Sequence, residues 1–105
     1  MMSVDGLAHG IQVQAVSVFV PQRSNPLVSH YFFAYHIEIA NEGDRPATLV
    51  SRHWIITDGF GRVEEVRGMG VVGEQPRIEP GNVFAYNSAC PLPTQFGTMR
   101  GYYYM

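Results

Sequence analysis

Three groups of residues in this chain have types and spacings that could do chemistry: a glycine run, a histidine–carboxylate pair and a Ser-Arg-His-Trp cluster. The run Gly68-Met69-Gly70-Val71-Val72-Gly73 has the form G-x-G-x-x-G. In dinucleotide-binding folds that pattern lets the backbone approach a pyrophosphate while a helix N-terminus faces it. Here Pro76, Pro80 and Gly81 follow too closely for such a helix, and no helical apolar period appears downstream. Read as a phosphate-binding P-loop, Gly73 is followed by Glu74 and Gln75 where a Lys and a Ser or Thr are needed. A carboxylate there repels phosphate. Two readings stay open. Backbone N–H groups of Gly68, Gly70 and Gly73 could form an anion nest, with Arg62, Arg67 or Arg77 supplying charge. Alternatively, the glycines simply supply positive φ angles in a connecting loop.

His36 and Glu38 alternate on one strand face, with side chains roughly 6–7 Å apart. Two ligands at that spacing could join a divalent site, but no third ligand is visible, so no metal is expected. An exposed polar sheet face explains the pair equally well. Ser51, His53 and Asp58 sit too close along one strand to build a nucleophile, base and orienting acid. On that strand Arg52 and Trp54 share one face while Ser51 and His53 share the other. Arg52, His53 and Trp54 are the candidates for contact with a protein partner. Trp54 either packs in the core or anchors that partner. Arg52, if buried, needs a counter-charge, and Glu64 or Glu65 across a hairpin is the expected one. Cys90 reads as buried filler at a strand end. Nothing assembles into a catalytic constellation, so neither enzymatic activity nor a cofactor is expected.

The elements that position these residues read as strands. In Ile11–Val20 the residues Ile11, Val13, Ala15 and Phe19 fall on one face. Pro21 ends the strand, and residues 23–26 form a loop. In His30–Ala40 the residues Phe33, Tyr35, Ile37 and Ile39 share a face. After a turn at residues 41–46, one strand is expected from Ala47 to Thr57. Asp58-Gly59-Phe60-Gly61 is a hairpin loop, and Arg62–Arg67 returns near a sheet edge. Residues 68–80 form the longest irregular stretch, and Val83–Ala89 and Thr98–Tyr104 are the last two strands. Helical periodicity is almost absent, because 11 Gly and 7 Pro interrupt every candidate. Six or seven short strands in a chain of 105 residues point to one all-β domain, residues 1–105. The expected architecture is an antiparallel β-sandwich of immunoglobulin or fibronectin type III kind. The fibronectin form is preferred because the immunoglobulin Cys and Trp spacing is missing.

Charged residues make up only 15%, and the net charge is −2 with no Lys. That balance excludes a protein whose main business is coating nucleic acid, which needs a basic face. A surface so poor in charge tends to associate with something. The N-terminus lacks the basic start and apolar run of a signal peptide, and no stretch is long enough for a membrane helix. A single Cys fits a reducing compartment, so a cytoplasmic protein without membrane insertion is expected.

Certain blocks carry a family resemblance: Ser51-Arg52-His53-Trp54-Ile55-Ile56-Thr57-Asp58, Gly61-Arg62-Val63-Glu64-Glu65-Val66-Arg67-Gly68 and Gly70-Val71-Val72-Gly73-Glu74-Gln75-Pro76. With Phe33-Ala34-Tyr35, Asn41-Glu42-Gly43, Tyr86, Ser88, Cys90-Pro91 and Met99-Arg100-Gly101, they closely resemble the bacterial ApaG (CorD) proteins. The likeness runs from about Val13 to the last residue. It implies a fibronectin type III-like sandwich without established enzymatic activity. It also implies an association with cobalt resistance, magnesium efflux and the neighbouring diadenosine tetraphosphatase. Related domains in F-box proteins and in the polymerase delta interacting protein look like protein-interaction modules. The family's glycine motif, proposed to bind a nucleotide pyrophosphate, is carried by Gly68, Gly70 and Gly73. The resemblance thus implies a protein partner, with a polyphosphate nucleotide, helped by a divalent cation, as the alternative ligand. Family members continue past the segment matching Thr98–Met105 with a further strand. On that basis the sheet edge at Thr98–Tyr104 is expected to be exposed or filled by a neighbour, as in a homodimer.

Overall fold

Period-two alternation of branched and aromatic residues sets the architecture. In a strand from Tyr31 to Asn41, Tyr35, Ile37 and Ile39 point inward and are buried, while Glu38 is exposed. The computed structural model describes residues 2–105. Its strands are β1 (Met2–Leu7), β2 (Ile11–Phe19), β3 (Tyr31–Asn41), β4 (Ala47–Thr48), β5 (Ser51–Asp58), β6 (Val63–Met69), β7 (Arg77–Ile78), β8 (Val83–Leu92) and β9 (Gly97–Tyr104). Two single-turn 3-10 segments, Pro21–Arg23 and Pro26–Val28, lie between β2 and β3.

A four-stranded sheet in the order β1-β9-β5-β6 packs against a three-stranded sheet in the order β2-β3-β8. A small β4-β7 pair forms a third, two-stranded sheet. This is the fibronectin type III-like β-sandwich expected from the strand pattern, and β6 lies at a sheet edge as expected. The core between the sheets is built from Ile37, Ile39, Leu49, Val71, Ile78 and Tyr103, all nearly inaccessible, with Trp54 beside them.

Three elements differ from the sequence expectation. The first is β1, which was not anticipated and pairs in parallel with β9, Val4 opposite Gly101. Consequently β9 lies between β1 and β5 and is not an edge strand. Second, the expected strand Ala47–Thr57 divides into β4 and β5. Between them the Leu49 N–H donates to the Pro76 carbonyl and the Val50 N–H to that of Tyr104. These bonds to two different partners break the ladder and carry the chain from the β4-β7 pair into the four-stranded sheet. Third, the stretch from Gly68 to Pro80 is more regular than expected. β6 runs on to Met69, a tight turn follows, and β7 pairs with β4. Among the described residues no helix is long and apolar enough to cross a membrane.

Candidate functional site

Alternation along β5 separates the cluster Ser51–Trp54 into two environments. Arg52, Trp54 and Ile56 point into the space between the sheets, and the groove there is lined by all three. The Trp54 indole is only 4% exposed, 5.8 Å from the Tyr35 ring and edge-on to Tyr103 at 6.0 Å. Its space exists because residue 101, opposite it on β9, is glycine. A Cβ there would stand 2.4 Å from the indole ring. The structure therefore places Trp54 in the core and not on a docking surface. A fully packed ring has no face left for a partner.

Arg52 does not pair with Glu64 or Glu65. Its NH1 donates to the Gly70 carbonyl at 2.8 Å and to that of Met69 at 3.2 Å. The register explains the difference, since Gly68 stands opposite Arg52, whereas Glu64 stands opposite Ile56 and Glu65 opposite Ile55. The guanidinium lies flat over Gly68, its carbon and both terminal nitrogens 2.9 Å from where a Cβ would be.

This contact accounts for the first glycine of the motif, and the turn that follows accounts for the other two. Val71 and Glu74 exchange both backbone hydrogen bonds at 2.8 Å, leaving Val72 and Gly73 as the central pair of a two-residue turn. Both have positive φ, 45° and 80°, the geometry of a type I′ hairpin turn. Gly70, at φ 62°, places the Glu74 carbonyl oxygen 1.9 Å from its missing Cβ. The Gly70 N–H donates to the Val50 carbonyl, which also accepts from the Gln75 side chain. Of the supposed nest, the Gly70 N–H is therefore spent on a protein carbonyl, as are those of Val71 and Glu74 in the same loop.

The arginines expected to serve this loop are dispersed. Arg62 lies at the opposite end of β6, about 20 Å along the strand from Gly68. Arg67 points to the outer face, its NH2 3.7 Å from the Glu65 carboxylate, and Arg77 pairs with Glu79 at 3.0 Å. Arg52 is the guanidinium that touches the motif.

On the outer face of the four-stranded sheet, the His53 Nε2 lies 2.9 Å from the same Glu65 oxygen. The Tyr102 ring, opposite His53 on β9, is 6.3 Å from the imidazole. A depression of about 500 Å³ on this face is lined by Ser51, Arg52, His53, Arg67, Met69 and Tyr104. Met69 and Tyr104 are 73% and 44% exposed.

Sequence reading placed Tyr35 on an inward face but did not single out the buried phenols of Tyr86 and Tyr103. The Tyr86 and Tyr103 hydroxyls are hydrogen-bonded to each other, and Tyr35 bonds to Ser88. Burial pushes the Tyr86 hydroxyl up to about 12, and burial together with its partner raises Tyr103 further. The alternation of Phe84, Tyr86, Ser88 and Cys90 in β8 was the available signal. Cys90 is half-buried in the same wall, and burial raises its thiol above the usual range. On the outer face of the other sheet, His36 Nδ1 is 2.8 Å from the Asn87 side-chain oxygen and Nε2 is 3.0 Å from Glu38. The Asn87 oxygen, then the Glu38 carboxylate, favour the protonated ring and raise its pKa. Among the described residues no group of three or more His, Cys, Asp or Glu is placed to hold a metal.

Comparison with known proteins gives a consistent result. A family model described as the ApaG domain matches residues 21–105. Protein ApaG of Aromatoleum aromaticum is 55% identical over 95 residues, which cover 90% of this chain and 75% of the relative. Protein ApaG of Bordetella pertussis is 53% identical over 96 residues, covering 91% and 73%. A crystal structure from Bordetella pertussis, described as an ApaA protein, superposes with a TM-score of 0.86 at 55% identity. It covers 89% of this chain and 76% of that one. An X-ray structure of a structural-genomics target gives 0.83 at 45% identity, covering 90% and 71%. The blocks that explain the turn, the flat guanidinium and the indole pocket are thus those of a known domain, and the chain belongs to the ApaG-domain family.

Proposed function

We propose that this protein is a non-enzymatic, cytoplasmic binding module that recognises another protein through the outer face of its four-stranded sheet. The observation that carries the reading is the depression lined by His53, Arg67, Met69 and Tyr104. Tyr, Met and Arg are the residue types enriched where proteins bury one another's surfaces. His53 and Arg67 share Glu65, so the polar groups are pre-oriented, with Arg67 and Glu65 exposed and the His53 ring largely covered. The family's association with cobalt resistance and magnesium efflux is then an indirect effect of the partner. Affinity capture at native expression tests this, comparing the wild type with Arg67→Glu and Tyr104→Ala. One identified protein should be retained by the wild type and lost by both variants at unchanged Tm. Recovery of no specific partner, or of the same partner by all three, sinks the reading.

A second reading, binding of a polyphosphate nucleotide at Gly68–Gly73, draws on the N–H groups of Val72 and Gly73 and on Arg52 beside Gly68. The three N–H groups already committed within the turn weigh against it. Titration calorimetry with diadenosine tetraphosphate, with and without Mg²⁺ or Co²⁺, decides it. No heat at millimolar ligand removes it.

A further inference from the structure

A groove of about 430 Å³ opens between the sheets, lined by inward residues of β5, β6 and β8. It lies where β6 and β8 are the edge strands of their sheets, and its size falls in the range of small-molecule sites. Arg52 stands at one end and Glu64 at the other. They are about 13 Å apart along β6, since Arg52 faces Gly68 and Glu64 is four residues before it. Between them run Trp54, Ile56, Val66 and Met99.

The polar groups of the groove are not equivalent. The phenols of Tyr86 and Tyr103 satisfy each other, and Tyr35 is paired with Ser88. Arg52 is different. Its NH1 carries both carbonyl contacts, and among the described residues no hydrogen bond or ion pair engages its Nε or NH2. Those two nitrogens form the side of the guanidinium fork that receives a carboxylate or sulfonate in bidentate fashion. The plane is already immobilised on Gly68, so little ordering entropy remains to be lost on binding.

The geometry points to this groove as a binding site for a small amphipathic organic monoanion, an aromatic or aliphatic carboxylate or sulfonate. Its acid group pairs with Arg52 and its apolar body lies along Ile56, Val66 and Met99, with the packed Trp54 ring beneath. One guanidinium neutralises one charge, and the Glu64 carboxylate at the far end repels a second. Arg52 lines both this groove and the outer depression proposed for protein recognition, but the residues that test the two readings differ, so either can fail without the other.

Trp54 is the only tryptophan of the chain and lines the groove, so it reports occupancy directly. The probe is 8-anilinonaphthalene-1-sulfonate, with uncharged N-phenyl-1-naphthylamine as its control. The sulfonate should bind the folded protein saturably at one site, with energy transfer from Trp54. Arg52→Gln should weaken it about tenfold while leaving the uncharged probe unaffected, as expected for loss of a charge-assisted bond. Glu64→Gln, at an exposed position, should strengthen sulfonate binding about two- to threefold. Absence of saturable binding, or an equal loss for both probes in Arg52→Gln, overturns the proposal. Should Arg52→Gln fail to fold, unchanged sulfonate affinity in Glu64→Gln overturns it as well.

Discussion

Two faces of one strand, β5, carry neighbouring residues with opposite fates. Inward, Arg52 and Trp54 are bound to carbonyls and packed among aromatic rings, so they hold the sandwich together and line the groove. Outward, His53 shares an exposed carboxylate with Arg67 beside Met69 and Tyr104, with no aromatic core closed around it. A run that reads as one cluster therefore serves two surfaces, with Arg52 reaching both. The difference teaches that adjacency in a strand separates function, because successive side chains point to opposite sides.

The sharpest way to break the comparison is to truncate both faces. Trp54→Ala should cost about 3–5 kcal/mol, because a buried ring is lost and Gly101 leaves nothing to fill the space. His53→Ala should cost less, about 1–2 kcal/mol, for one hydrogen bond to an exposed carboxylate and the contact with Tyr102. Urea denaturation measures both, and equal losses would dissolve the distinction.

The glycine motif allows a second test on the inward side. Gly70→Ala should cost about 2–4 kcal/mol, combining left-handed strain with a collision against the Glu74 carbonyl. Gly73→Ala, whose Cβ meets open space, should cost only about 1–2 kcal/mol, from strain alone. Equal costs for the two variants would mean that strain alone, and not the collision with the Glu74 carbonyl, sets the requirement at Gly70. Val72 offers the converse, since a β-branched residue at φ 45° opposes the turn it occupies. Val72→Asn should raise stability by about 0.5–1 kcal/mol, Asn being preferred at that turn position. A loss would mean that the Val72 side chain contributes packing the turn depends on.

Smaller effects lie in the titrations. Tyr86 ionises near 10 when unfolded and about 12 when folded. The unfolded chain releases its proton first, so stability present below pH 10 declines as pH rises toward 12. Tyr86→Phe should flatten that decline, and a parallel curve would remove Tyr86 as its source. For His36, proton-detected titration should place the ring above its ordinary 6.5. The stabilisation from its protonated form is complete below that value and disappears as pH rises through the folded pKa. Asn87→Ala and Glu38→Gln should each bring the ring back toward 6.5.

Legibility in the sequence followed how local each cause was. In β3, every inward position from Tyr35 to Ile39 is aromatic or branched, so the strand and its buried face could be read directly. In β1, Met2, Ser3, Val4 and Asp5 alternate as well, but the run is short and Gly6 interrupts it. Its parallel pairing with β9 joins opposite ends of the chain. The break between β4 and β5 left no local mark, because its cause is where the Leu49 and Val50 N–H groups find acceptors. Of the candidate site residues, the three motif glycines were found for their conformational freedom, and Arg62 and Arg67 for their charge alone. Arg52 was found, but its partners turned out to be carbonyls of the motif itself.

By itself, then, the sequence determined the strand-rich class, the inward faces of the long strands and the family, because alternation and motif spacing are local properties of the chain. The tertiary structure decided that Arg52 lies flat on Gly68, that Trp54 occupies the space opened by Gly101, and that β9 is covered by β1. Those outcomes depend on register between strands distant in the chain. A one-residue change of register would turn each side chain to the opposite face.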